Sequence, residues 1–210
     1  MKIGFMGGTF SPPHMGHLNA AKVFYEEENL DLLIVIPAKV SPFKAGVEAT
    51  STDSERFEMA CLCFGTLKDK YGYNVEVSPI EIENDGVSYT YLTVNSLRTM
   101  YPDSELVMYV GSDMFFSLEK WKNSSELFSN CKIYTRCREN GEVSQMMQTK
   151  QKYEELFGAD ISKDYVVKDG SIITARGMGS AIEFGLQIAE VLTSRENAQK
   201  IRASLQIYNG

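Results

Sequence analysis

Short apolar runs alternate along the chain with stretches whose apolar residues recur at three- and four-residue spacing. Residues 2–6 form the first run, Gly7-Gly8 follow at once, and a helical pattern occupies about His17 to Glu28. The run Asp31 to Ile36 stops at Pro37 and suits a strand buried on both faces, which completes a strand–helix–strand unit. PAKVSPFKAG, with two prolines and two lysines, reads as an exposed loop. Phe57, Ala60, Cys61, Phe64 and Leu67 then mark a helix with its cap within Ser54 to Arg56. Asn74 to Val77 predicts a strand, Thr90, Val94, Leu97 and Tyr101 a helix, and Glu105 to Val110 a strand ending in Gly111-Ser112-Asp113. A strand over Cys131 to Thr135 and a helix over Ser144 to Phe157 follow. Two β runs, Tyr165 to Lys168 and Ser171 to Thr174, precede a last helix with Ile182, Leu186, Ala189 and Leu192 in register. This alternation predicts an α/β fold with a doubly wound parallel sheet, whose ligands collect beyond the carboxyl ends of the strands.

Composition narrows the functional classes. At 210 residues the chain can bury a core without disulfides or structural metal. No stretch approaches the ~20 continuous apolar residues of a membrane span, and MKIGFMGGTF lacks the apolar region of a secretory signal, so a reducing cytoplasm is the expected setting. The net charge of −7 argues against general affinity for nucleic acid. A small anionic substrate would need locally placed cations. Cys61, Cys63, Cys131 and Cys137 form no CxxC or Cys/His cluster and read as buried thiols rather than metal ligands, with Cys61 and Cys63 inside a helical stripe.

Between the first strand and the first helix stands GGTFSPPHMGH, residues 7–17. Glycines let a backbone approach a phosphate closely, and the N–H groups of a helix start favour an anion. His14 and His17, the only two histidines of the chain, can converge on one phosphoryl group and stabilise its charge without forming a covalent intermediate.

This segment resembles the GGTFxPxHxGH signature of the nucleotidyltransferase superfamily, and within it of the bacterial nicotinate-nucleotide adenylyltransferases. PAKVSPFK resembles that family's proline-rich loop ending in a lysine, SYTYLTVNSLRTMYPD its SYT-to-YP segment, and GSDMFFSLEKW its GxD-to-tryptophan segment. The resemblance implies a Rossmann-like nucleotidyltransferase fold and adenylyl transfer from ATP to nicotinate mononucleotide, giving deamido-NAD and pyrophosphate. It implies that His14 and His17 polarise the ATP phosphates with Lys44 beside them. The backbone of Gly8, Thr9 and Phe10 would cradle the nucleotide, with Gly111 also in the ATP site and Asp113 holding the ribose. Lys44, Tyr89, Thr90, Trp121 and Arg138 would hold the mononucleotide, and Mg²⁺ would ride on the ATP phosphates.

The family's second nucleotide motif, a serine-serine-threonine-x-isoleucine-arginine helix start, does not follow LFGAD. From about Asp164 the chain instead resembles the C-terminus of the superfamily of the parkinsonism-associated deglycase and intracellular proteases. The expected organisation is a nucleotidyltransferase domain over residues 1–160 and an atypical segment, 161–210, packed on it and extending its sheet. Arg176 is the one candidate there for a triphosphate contact. Alternative readings are a nucleotide-binding protein whose catalysis is impaired by the missing motif, and an adenylyltransferase for another phosphorylated acceptor.

Overall fold

A computed structural model describes residues 1–40, 51–84, 86–136, 142–161, 166–169, 172–175, 194 and 199–200. Contacts divide the chain into two compact units, one of residues 1–135 and 149–162 and the other of residues 136–148 and 163–210.

The first unit is built on a five-stranded sheet of β1 (Lys2–Gly8), β2 (Leu32–Pro37), β3 (Val75–Val77), β4 (Glu105–Gly111) and β5 (Lys132–Arg136), in the order β3-β2-β1-β4-β5. β1 pairs in parallel with β2 and with β4, and β2 in parallel with β3. The order reverses direction between β1 and β4, which makes the crevice beyond their carboxyl ends the natural ligand site of such a sheet. All six residues of β2 are buried, as the unbroken apolar run requires of a strand covered on both faces.

Helices α1 (Met15–Glu27) and α2 (Asp53–Tyr71) pack Ala21, Phe24, Ala60, Phe64 and Leu67 against Met6, Leu33, Val35, Val107 and Tyr134 of the sheet. A short α3 (Ile80–Glu83) and α4 (Thr90–Met100) connect β3 to β4. The connection from β4 to β5 carries α5 (Ser112–Phe115), a 3-10 turn (Leu118–Lys120) and α6 (Ser124–Asn130). Arg98 of α4 donates from Nε to the Asn130 carbonyl at 2.9 Å and so ties α4 to the end of α6. α7 (Val143–Phe157) brings Tyr153 into the first unit, where its hydroxyl donates to the Phe115 carbonyl at 2.9 Å.

Several expectations are corrected. α1 begins two residues early, at Met15, because His14 itself serves as the N-cap. α2 is capped by Thr52, whose hydroxyl accepts the Glu55 N–H while Glu55 reaches back to the Thr52 N–H, a reciprocal box outside the expected Ser54 to Arg56. The buried stripe of α2 is Arg56, Ala60, Phe64 and Leu67, so Cys61 is exposed and Cys63 half-buried. Ala60, Phe64 and Leu67 are buried as the apolar spacing expects, whereas Phe57 is only partly buried and Arg56 takes the core position beside it. Cys131 is buried as expected, and burial pushes its thiol up to about 12. The two C-terminal β runs, β6 (Val166–Asp169) and β7 (Ile172–Ala175), form an antiparallel sheet of their own instead of adding strands to the five. Cys137 and the last expected helix lie outside the described residues.

Candidate active site

The turn after β1 is shaped by Phe10. Its backbone takes a left-handed φ of 50°, a conformation that costs energy for a side-chain-bearing residue and persists only where surrounding contacts impose it. The ring is buried, 5.3 Å from the Phe64 ring and 5.2 Å from that of His17. It lies so close beneath Gly8 that a Cβ there would sit 2.7 Å from it, which is why this position is glycine. The Gly8 carbonyl accepts the Ala38 N–H at 2.9 Å, and the Thr9 carbonyl accepts from Arg56 Nη1 at 2.9 Å. The Gly8 carbonyl is thus held by the segment leaving β2, and the Thr9 carbonyl by α2.

The two histidines at the start of α1 form a capping box. His14 Nδ1 accepts the Gly16 N–H at 3.1 Å, and His17 Nδ1 accepts the His14 N–H at 3.2 Å. An imidazole nitrogen that accepts cannot carry the proton, so each ring carries its proton on Nε2. The rings stack with centroids 3.7 Å apart and planes 25° from parallel. Gly16 is required here, because a Cβ would lie 2.9 Å from His14 Cε1. The first turn of α1 holds no acidic residue of its own to offset the positive end of this 13-residue helix.

β4 runs alongside β1 and ends at Gly111, from which Ser112 and Asp113 turn into α5. Asp113 is exposed at this edge of the crevice. Tyr89 is the N-cap of α4 and Thr90 its first residue. The Tyr89 ring lies under Lys122 Nζ, 4.3 Å from its centroid, which brings the SYT segment against the residue next to Trp121. Trp121 is partly buried at the end of the 3-10 turn. The structure therefore places Gly8, Thr9 and Phe10 at and just beyond the end of β1, His14 and His17 at the start of α1 that follows, and Gly111 and Asp113 at the same end of the neighbouring β4, and it sets the Tyr89 ring against Lys122, next to Trp121. Lys44, Arg138 and Arg176 lie outside the described residues.

Sequence reasoning gave no role to three residues of this region, and it quoted Ser88 only as the start of the SYT segment. Arg56 hides inside an apolar stripe, and Lys39 and Glu81 look like ordinary surface polar groups. The Ser88 hydroxyl accepts the Lys39 N–H at 3.0 Å, and the Ser88 N–H donates to the Val40 carbonyl at 3.0 Å. Thr93 Oγ1 donates to Glu81 at 2.6 Å. Burial raises the Glu81 carboxyl above its ordinary value, against the opposing hydrogen bonds from Thr93 and Ser88. The only signal was negative, an arginine where Ala60 and Phe64 predict a core residue.

Other chemistries find less support. Among the described residues no group of three His, Cys, Asp or Glu side chains could hold a metal ion. Desolvation raises the Cys61 and Cys63 thiols, the opposite of the activation a nucleophilic cysteine needs. No helix among the described residues is long and apolar enough to cross a membrane.

Comparison with known proteins agrees with this geometry. A protein of Gemmatimonas aurantiaca named "Probable nicotinate-nucleotide adenylyltransferase" is 36% identical over 139 residues, 66% of this chain and 63% of its own length. One of the same name from Chlorobaculum parvum is 38% identical over 150 residues, 68% of this chain and 75% of its own. The match thus spans somewhat under two thirds of the first relative and three quarters of the second. The nicotinic acid mononucleotide adenylyltransferase of Plasmodium falciparum, solved in complex with NaAD, shares the fold with a TM-score of 0.53 at 14% identity over 70% of each chain. The pattern of the cytidylyltransferase-like family runs from residue 5 to residue 173, from the first buried strand through the glycine turn, the histidine pair and the β4 edge, and the chain belongs to that family.

Proposed function

We propose that the chain transfers the adenylyl group of ATP to nicotinate mononucleotide, releasing pyrophosphate and forming deamido-NAD. A phosphate oxygen of the mononucleotide bonds to the α-phosphorus of ATP, the bond from that phosphorus to the α,β-bridging oxygen breaks, and its electron pair leaves with pyrophosphate. The observation that carries this reading is the histidine box: two imidazoles, stacked at the start of α1 with their Nδ1 atoms engaged by backbone N–H groups, keep Nε2–H for donation to charge that builds during such a transfer. Phosphoryl chemistry of this kind needs alignment and charge stabilisation rather than a covalent intermediate.

In this account His14 and His17 donate to the triphosphate, and the turn Gly8 to Phe10 seats it. Gly111 and Asp113 meet the ribose across the reversal point. Tyr89, Thr90 and Trp121 take the nicotinate ring, a role suited to flat aromatic surface with a few hydrogen-bonding groups. Lys44 and Arg138 complete the set on the strength of the sequence resemblance, and Mg²⁺ enters with ATP as part of the substrate. Residues 1–160 carry the whole of this machinery, and the tail serves as scaffold. The relatives named for the same reaction support the assignment.

The test supplies Mg²⁺, ATP and nicotinate mononucleotide and follows both products by mass. Pyrophosphate and deamido-NAD are expected in equal amounts. ATP binding without either product would replace the enzyme with a nucleotide-binding protein.

A further inference from the structure

Arg56 is 1% exposed and stands in the stripe of α2 where Ala60, Phe64 and Leu67 enter the core. Its guanidinium donates from Nη1 to the Thr9 and Ala38 carbonyls at 2.9 and 2.5 Å, and from Nη2 to the Lys39 carbonyl at 3.3 Å and to Asp53 at 2.5 Å. Its Nε has no hydrogen-bond partner among the described residues. A buried charge is a poor way to gain stability, since an apolar residue of similar volume commonly does as well or better. What the planar fork supplies is geometry, fixing several acceptors in one plane as no lysine can.

Those acceptors belong to two different loops. Thr9 lies in the turn that leads to the histidine pair, and Ala38 and Lys39 in the segment leaving β2. That segment in turn holds Ser88, through the Lys39 N–H to the Ser88 hydroxyl and the Ser88 N–H to the Val40 carbonyl. Ser88 immediately precedes Tyr89 and Thr90. A continuous bridge therefore runs from the turn on the ATP side, through Arg56 and the end of β2, to the segment on the acceptor side.

We infer that Arg56 is a positioning residue that sets the nucleotide turn and the acceptor segment at a fixed separation, so that the two phosphates meet in line. The inference rests on the proposed adenylyl transfer and adds to it the device that aligns donor with acceptor. Misplacing reacting groups by about 1 Å costs on the order of 10²-fold in rate. Arg56 touches neither substrate, so its loss acts through the loops it holds.

The test is R56K, which keeps the charge and loses the fork, read by two measurements. In steady-state kinetics kcat falls at least tenfold while the KM for ATP changes less than threefold. In amide hydrogen exchange without substrates, Ala38, Lys39 and Ser88 exchange at least tenfold faster than in the wild type, while Leu106 to Val110 of β4 do not change. A kcat within threefold of wild type in a folded R56K protein overturns the inference, and so does a fall in kcat with the three amides unmoved. If R56K does not fold, S88A removes the Lys39 N–H bond of the outer link, leaving the Ser88 N–H on Val40 and losing the Ser88 bond to Glu81 as well: the KM for the mononucleotide rises at least threefold and Lys39 exchanges faster, and no change in either overturns the bridge. A wild type that turns over no mononucleotide would remove the adenylyl-transfer reading, and the exchange pattern of R56K would then decide by itself whether Arg56 holds the two loops together.

Discussion

Both imidazoles at the start of α1 accept a backbone N–H at Nδ1, so the residues proposed to stabilise the reacting phosphate also cap the helix that presents them. The two contributions separate by magnitude. Losing a helix cap costs about 1 kcal/mol of stability, whereas removing one donor to a developing charge commonly costs ~10²-fold or more in turnover. His17→Ala is therefore expected to lose about two orders of magnitude in kcat with little change in ATP affinity, because the donor acts mainly in the transition state. His17→Gln can keep the capping box and should restore the melting temperature without restoring kcat; recovery of both together would make the role of His17 structural. The histidine pair was legible in the sequence because its spacing follows a glycine turn directly. Arg56 was not, because its partners are carbonyls of Thr9, Ala38 and Lys39, and side-chain patterns carry no record of where carbonyls point.

At the scale of elements, the acceptor side is held by α3 and α4, with Glu81 of the first bonded to Thr93 of the second. Burial raises the Glu81 carboxyl above its ordinary value of 4.5, so the folded protein binds a proton more tightly there than the unfolded chain does. Stability contributed by this group is complete below the unfolded value and falls as pH rises through the raised folded one. Glu81→Gln should remove that fall. Urea midpoints measured from pH 4 to pH 7 should decline more steeply for the wild type than for the variant, and parallel curves would contradict the burial argument. Elements were read from the sequence to within a residue or two where apolar periodicity was unbroken, as in β2 and β4. Reading failed where a polar residue took a core position, as Arg56 does in α2. It failed also where a run of β-forming residues pairs with its neighbour, as β6 does with β7, since composition does not state the partner of a strand.

At the scale of the molecule, the strand order β3-β2-β1-β4-β5 places the glycine turn after β1 beside the Gly111 edge of β4. In the proposed reading one crevice takes a nucleotide on both edges while α4 and the Trp121 segment offer the acceptor site. The choice of acceptor was legible only through motifs, because the hydroxyls and N–H groups that tell a carboxylate from an amide are common to any helix start. A site built for a carboxylate leaves its donors badly paired with an amide, and such mismatches weigh heavily in specificity. The most direct measurement is kcat/KM for pyrophosphate release with ATP and, in turn, nicotinate mononucleotide, nicotinamide mononucleotide and phosphopantetheine. Nicotinate mononucleotide is expected to exceed each of the others at least tenfold, and equal efficiency with its amide, or preference for phosphopantetheine, would contradict the proposed reaction.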